Sequence, residues 1–214
     1  MSEAEAIVGG DPPVFYYDLV SPFSFLAAFR IEEVMPVAPA WRPIWSAPVI
    51  LGSGRNWRPS FEEGRARRTD IVRRAKRYGM PEWRWPAVYE PASEAEHEAW
   101  IAPNSLRVMR MATLAVQKGV GAAFSLGVFT LVFSEGRDLS ESEGAIVEIG
   151  VDCGLDRDEL AAAPATPAIK DALRVATDEA ADRGVIGVPT VAVGRQLFWG
   201  DDRLDEAAAA AAAG

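Results

Sequence analysis

Val14-Phe-Tyr-Tyr-Asp-Leu-Val-Ser-Pro-Phe-Ser24 carries two structural signals in immediate succession. Val14 to Asp18 is short, aromatic and β-branched, which predicts a buried strand. Ser21-Pro22 then predicts a helix start: a serine caps well, and a proline at the first helical position gives up an N–H that has no partner there anyway. Phe25, Leu26, Phe29 and Val34 carry the helix, and Pro36 and Pro39 end it. Trp41 to Trp45 reads as a second strand, so the chain opens β-α-β, the start of an α/β fold.

Residues 47–59 are rich in Pro, Gly and Asn and read as a loop. From about Pro59 to Ala181 the chain is mostly helical in composition, over 60–79, 103–119, 121–135, 140–153 and 166–183. Pro81, Pro86 and Pro91 interrupt the block, and Asp156 to Leu160 adds a short helix. Thr190 to Val193 and Gln196 to Trp199 then form a hairpin about Gly194-Arg195. Asp201 or Asp202 caps a last helix running into Ala207 to Ala213, which have high helix propensity but little packing surface. The order β-α-β, helical block, β-β-α is that of a thioredoxin-like fold with a large helical domain inserted in its middle. The expected parts are a tail over 1–12, a discontinuous thioredoxin-like domain over 13–58 and 184–214, and an inserted helical domain over 59–183.

The 214 residues are 49% hydrophobic, enough for a sizeable core without staples. The single cysteine, Cys153, excludes an internal disulfide and dithiol chemistry, and it reads as a small packed side chain. One Cys and one His make no usual zinc site. His97 lies in a charged run, Glu94 to Glu98, and is expected at the surface. A net charge of −9 argues against nucleic-acid binding. No apolar run is long enough to span a membrane, and Met1 to Gly10 lack the features of a secretory signal, so the cytoplasm is expected. Arg65, Arg67, Arg68, Arg73, Arg74, Lys76 and Arg77 cluster locally. A solvated helix face is the favoured reading of that cluster, and an electropositive rim for a small anion the other. Trp57, Trp83, Trp85 and Trp100 suit an aromatic pocket and a core equally.

Chemistry is concentrated in three segments. At the start of the first helix, backbone N–H groups and a partial positive charge favour a thiolate. Ser21 and Ser24 stand where a redox C-x-x-C would place its cysteines. Serine forms no disulfide, but it donates a hydrogen bond to a thiolate brought by a ligand; taken alone, Ser21 reads as a simple cap. In Gly187-Val-Pro-Thr190 a proline precedes a strand, which marks an edge or a cis turn. The third segment is Phe198-Trp-Gly-Asp-Asp-Arg-Leu204.

Together, in order and spacing, these segments resemble the 2-hydroxychromene-2-carboxylate isomerases, relatives of kappa-class glutathione transferases in the Dsb-like thioredoxin superfamily. Asp70, Arg73, Tyr78, Gly79, Pro81 and Asn104-Ser-Leu-Arg107 extend the likeness, which runs from about Val14 to Leu204. The resemblance implies a glutathione-dependent isomerase of an aromatic carboxylate, working as a homodimer. Glutathione transfer to a related electrophile and a non-catalytic binding module are the alternatives. It implies that Ser21 hydrogen-bonds the glutathione sulfur and that Val188, held by a cis Pro189, pairs with the cysteinyl backbone. Trp199, Gly200, Asp201 and Asp202 would surround the γ-glutamyl end, with Asp202 taking its ammonium, and Tyr89 would contact the organic substrate. Two departures stand out. The isomerases often carry a lysine after the second strand, where this chain reads Ala47-Pro-Val-Ile-Leu-Gly52. At Asp201 an amide or hydroxyl residue is usual. An ionised Asp201 is therefore expected to repel the glutathione carboxylate, and Asp201→Asn to tighten binding by about 1 kcal/mol.

Overall fold

A computed structural model describes residues 11–54, 60–99 and 105–213. The strands are β1 (Val14–Tyr17), β2 (Ala40–Pro43), β3 (Thr190–Val193) and β4 (Gln196–Trp199). The helices are α1 (Pro22–Val34), α2 (Ser46–Gly52), α3 (Phe61–Arg77), α4 (Glu94–Ala99), α5 (Leu106–Gln117), α6 (Gly121–Phe133), α7 (Glu143–Asp152), α8 (Arg157–Ala162), α9 (Pro167–Asp182) and α10 (Leu204–Ala213). The sheet order is β2-β1-β3-β4, with β1 parallel to β2 and antiparallel to β3. The order is that of a thioredoxin-like fold of the α/β class, with α2 to α9 between β2 and β3. Among the described residues no helix is long and apolar enough to cross a membrane.

The period-two alternation of β1 sends its side chains to two cores. Phe15 and Tyr17 face one side, where both are fully buried against Trp41 at 5.0 and 5.3 Å between ring centroids. Phe25 of α1 stacks on Phe129 of α6 at 5.4 Å, and the Tyr17 hydroxyl meets Ser125 Oγ at 2.7 Å. Tyr16 faces the other side, with Ile44, Ala176, Ala180 and Val185. Both faces of the central strand are thus covered, which fixes its C-terminal end in space.

The structure corrects the sequence reading locally. The second strand ends at Pro43, and α2 occupies 46–52, part of the stretch read as a loop. Tertiary partners hold that helix start: the Trp45 N–H donates to Thr177 Oγ1 at 3.0 Å, and the Ser46 N–H to Asp18 Oδ2 at 3.0 Å. Asp201 to Arg203 form a 3-10 turn ahead of α10, so neither aspartate is a simple helix cap. Ala207 is fully buried, so the alanine tract does pack at its start. His97 is not at the surface: it is 9% exposed, with its ring 5.9 Å from that of Phe61. A short helix amid charges turns one face inward, and local composition does not tell which face. Trp57 and Trp100 lie outside the described residues.

Candidate active site

The end of β1 and the start of α1 form the floor of the site. Ser21 is the N-cap of α1: its Oγ accepts the Ser24 N–H at 3.2 Å, and Pro22 occupies the first turn. The hydroxyl proton of Ser21 is not used by this bond, because the oxygen is the acceptor. Ser24 is fully buried and its Oγ accepts the Asp18 N–H at 3.5 Å, so it faces the helix body and not the opening.

Asp18 is a site feature that local sequence signals do not reveal. Its side chain is fully buried and accepts four hydrogen bonds. The donors are Val20 N–H at 3.2 Å, Ser46 N–H at 3.0 Å, Ser46 Oγ at 2.8 Å and Ser105 Oγ at 3.1 Å. Burial pushes its carboxyl above the usual carboxylate range, and the Ser46, Val20 and Ser105 donors pull part of that back. Asp18 thereby joins the starts of α1, α2 and α5 at one point.

The second wall comes from the far end of the chain. The Val188–Pro189 peptide bond is cis, as Gly187-Val-Pro-Thr190 predicts. Among the described residues, no hydrogen bond takes the backbone N–H or carbonyl of Val188. The Pro189 carbonyl accepts the Gly200 N–H at 2.9 Å. Gly200 has φ of +115°, a region that L side chains rarely adopt, and it turns the chain from β4 into the Asp201 turn. Trp199 projects from β4 with 38% exposure. Gly187 faces its indole, where a Cβ would fall 2.9 Å from Nε1.

Asp201 and Asp202 differ sharply. Asp201 is 1% exposed; its Oδ1 accepts from Arg74 Nη1 at 3.1 Å and its Oδ2 from the Tyr78 hydroxyl at 3.2 Å. The expectation that Asp201 is an open carboxylate facing the ligand is therefore corrected. Burial pushes its carboxyl up, and Arg74 and Tyr78 counter part of that shift. Arg74 is itself desolvated, but the Asp201 and Asp70 carboxylates outweigh that and hold it more firmly protonated. The Asp202 side chain is 61% exposed, with Oδ2 3.5 Å from Arg74.

These elements enclose a cavity of about 720 Å3. Ser21, Val188, Pro189, Trp199, Gly200, Asp201, Asp202 and Tyr89 all border it, so the structure brings together the residues to which the resemblance assigns a ligand contact. The Tyr89 hydroxyl donates to the Val20 carbonyl at 2.8 Å, and burial pushes its pKa well up, so it stays a donor. Trp85 borders the cavity, whereas Trp83 packs on Phe25 and Phe133 at 5.6 and 5.2 Å. The basic cluster is more than a solvated face: Arg67, Arg68 and Arg74 of α3 reach the cavity. Cys153 packs against the core away from it, and burial raises its thiol pKa.

A backbone edge with no partner among the described residues, a hydroxyl donor at a helix start, a carboxylate in partial water and aromatic rings share one space. Comparison with known proteins identifies the family. The family of DSBA-like thioredoxin domains matches residues 14–212. A 2-hydroxychromene-2-carboxylate isomerase of Sphingobium xenophagum is 31% identical over 199 residues, covering 89% of this chain and 93% of that protein. An enzyme of the same name from Pseudomonas putida is 30% identical over 199 residues, covering 89% of each. A solved structure of a 2-hydroxychromene-2-carboxylate isomerase superposes with a TM-score of 0.75 at 26% identity, covering 94% of each chain. The chain belongs to the 2-hydroxychromene-2-carboxylate isomerase family of enzymes, built on a DSBA-like thioredoxin domain.

Proposed function

We propose that this protein is a glutathione-dependent isomerase of an aromatic carboxylate such as 2-hydroxychromene-2-carboxylate. One observation carries the reading: the backbone of Val188, which no described residue bonds, and the hydroxyl proton of Ser21, which its cap bond leaves available, border the same cavity. An extended peptide docks on such an edge by main-chain hydrogen bonds. The volume of about 720 Å3 lies within the ~300–1,000 Å3 common for small-molecule sites. Glutathione, when bound, would supply a nucleophilic thiolate for reversible addition to a conjugated carbon, the chemistry that permits rotation about a double bond.

The protein's own tasks are to hold the thiolate and to place the substrate. The Ser21 hydroxyl donates to the sulfur, and the first turn of α1 adds its partial positive charge. Val188 pairs with the cysteinyl backbone, with cis Pro189 shaping the edge. Asp202 keeps an oxygen in water for the γ-glutamyl ammonium, while Trp199 and Gly200 border that end. Asp201 orders the same region through Arg74 and Tyr78. Tyr89, Trp85 and Phe23 offer the apolar seat for the aromatic ring. The proposal includes the cytoplasm, where glutathione is kept reduced, and a homodimer.

The test is turnover of 2-hydroxychromene-2-carboxylate, followed by absorbance with and without glutathione. Dependence that saturates with glutathione is expected; equal rates in its absence overturn the reading. Light scattering should give twice the 23.1 kDa of one chain, and the protomer mass would refute the dimer.

A further inference from the structure

The cations of α3 are unequally employed. Arg74 is engaged by Asp70, Asp201 and Asp202, Arg73 by Asp70, and Arg65 by Glu62. Arg68 also borders the cavity, is half-buried, and makes no hydrogen bond or ion pair with a described residue. A partly desolvated guanidinium with no bonded carboxylate is unfavourable, so such a site favours a ligand that brings one. Burial depresses the Arg68 pKa, with the Glu90 charge acting the other way, yet a guanidinium remains charged at any physiological pH.

Its place along the helix is informative. Arg68 precedes Arg74 by six positions, about 9 Å along the axis at 1.5 Å per residue. Arg74 marks the Asp201 end of the cavity. Arg68 lies away from it, within the field of Glu90, the chain neighbour of Tyr89. Trp85 and Tyr89, 5.8 Å apart between ring centroids, form an aromatic wall of the same cavity. The α2 segment bordering the cavity contributes Ser46, Ala47 and Ile50, and no cation.

We propose that Arg68 is the anchor for the carboxylate of the aromatic substrate, which lies on the Tyr89 and Trp85 wall and presents its acid group to the guanidinium fork. This rests on the proposed function, because it assigns the organic substrate to the Tyr89 side. A planar fork pairs with a carboxylate through two parallel N–H bonds, which a lysine ammonium does not reproduce. The residue selects acids over neutral aromatics of the same shape, and the thiol-holding end is left to Ser21 and Val188.

Calorimetric titration with trans-cinnamate and its neutral isostere cinnamamide tests this, first without glutathione. The native protein should bind the acid about tenfold more tightly than the amide. Arg68→Gln should bring the ratio near one, Arg68→Lys should restore part of it, and glutathione affinity should stay within twofold in both. A ratio of one in the native protein overturns the proposal, as does a preference that survives Arg68→Gln. An equal loss of glutathione affinity overturns it too, since Arg68 would then hold a carboxylate of the peptide. Omitting glutathione from the first titration separates this outcome from failure of the glutathione-dependent reading.

Discussion

Arg74 bridges two carboxylates on different elements, with Nη1 3.1 Å from Asp201 Oδ1 and Nε 2.7 Å from Asp70 Oδ2. It ties α3 to the turn that follows β4. That bridge reverses the effect expected of Asp201 from sequence. A buried carboxylate already shared by a guanidinium and a phenol does not repel a ligand carboxylate as an open one would. Asp201→Asn should therefore leave glutathione binding unchanged or weaker, and it should destabilise the fold by about 2 kcal/mol, because Arg74 loses a desolvated partner. Urea unfolding beside calorimetric titration checks both halves; tighter glutathione binding at unaltered stability would mean that the bridge does not form.

Ser21→Ala should lower glutathione-dependent turnover about 100-fold, the ~3 kcal/mol expected when one donor to a developing anion is lost. It also removes the α1 cap, at about 1 kcal/mol, so the melting temperature should fall by only about 2–4 °C. Ser24→Ala should change turnover little, since that hydroxyl faces Asp18 N–H inside the helix. Native turnover by the Ser21 variant at saturating glutathione removes Ser21 from the chemistry.

Asp18 predicts a pH signature. Its folded-state pKa is raised, so it contributes stability that is fully present below the ordinary carboxylate range and is lost as pH rises through its folded pKa. Asp18→Asn stays neutral and lacks that slope. The melting temperature of the native protein minus that of Asp18→Asn should therefore decline from about pH 4 upward. A difference that grows with pH would mean that the Ser46 and Ser105 bonds outweigh burial.

Gly187→Ala should displace the Trp199 indole, because its Cβ would sit 2.9 Å from Nε1 and 3.4 Å from Cε2. The indole is partly exposed and able to swing, so stability should change by less than about 1 kcal/mol. The cavity wall moves with it, and glutathione should bind several-fold more weakly. Titration followed by tryptophan fluorescence reports both; unaltered emission and affinity would mean that the backbone absorbs the methyl.

What was legible in the sequence was local. Ser21-Pro22 announces a helix start, the Gly194-Arg195 turn a hairpin, and the proline of Gly187-Val-Pro-Thr190 an interrupted strand edge, because each signal acts on its immediate neighbours. The α2 helix was hidden, since its start is held by Asp18 and Thr177 from distant segments and it lies within a longer Pro-, Gly- and Asn-rich stretch, with Pro48 and Gly52 inside it. The convergence of Asp18, Ser46 and Ser105, and the approach of Arg74 to Asp201, leave no periodic trace either. Counting charges finds the cluster on α3, but only packing separates the arginines that reach the cavity from those that face water.

The pairing of Val14 with Ala192 joins opposite ends of the chain. At about 5–20 residues per second, a ribosome releases β3 on the order of ten seconds or more after β1. Throughout that interval β1 has a parallel neighbour on one side and an open hydrogen-bonding edge on the other, with Phe15, Tyr16 and Tyr17 along it. Such an edge recruits strands from other nascent chains. Synthesis therefore passes through a window in which yield depends on chaperone supply, and chains truncated before Thr190 should collect in the insoluble fraction even though every helix up to α9 is intact.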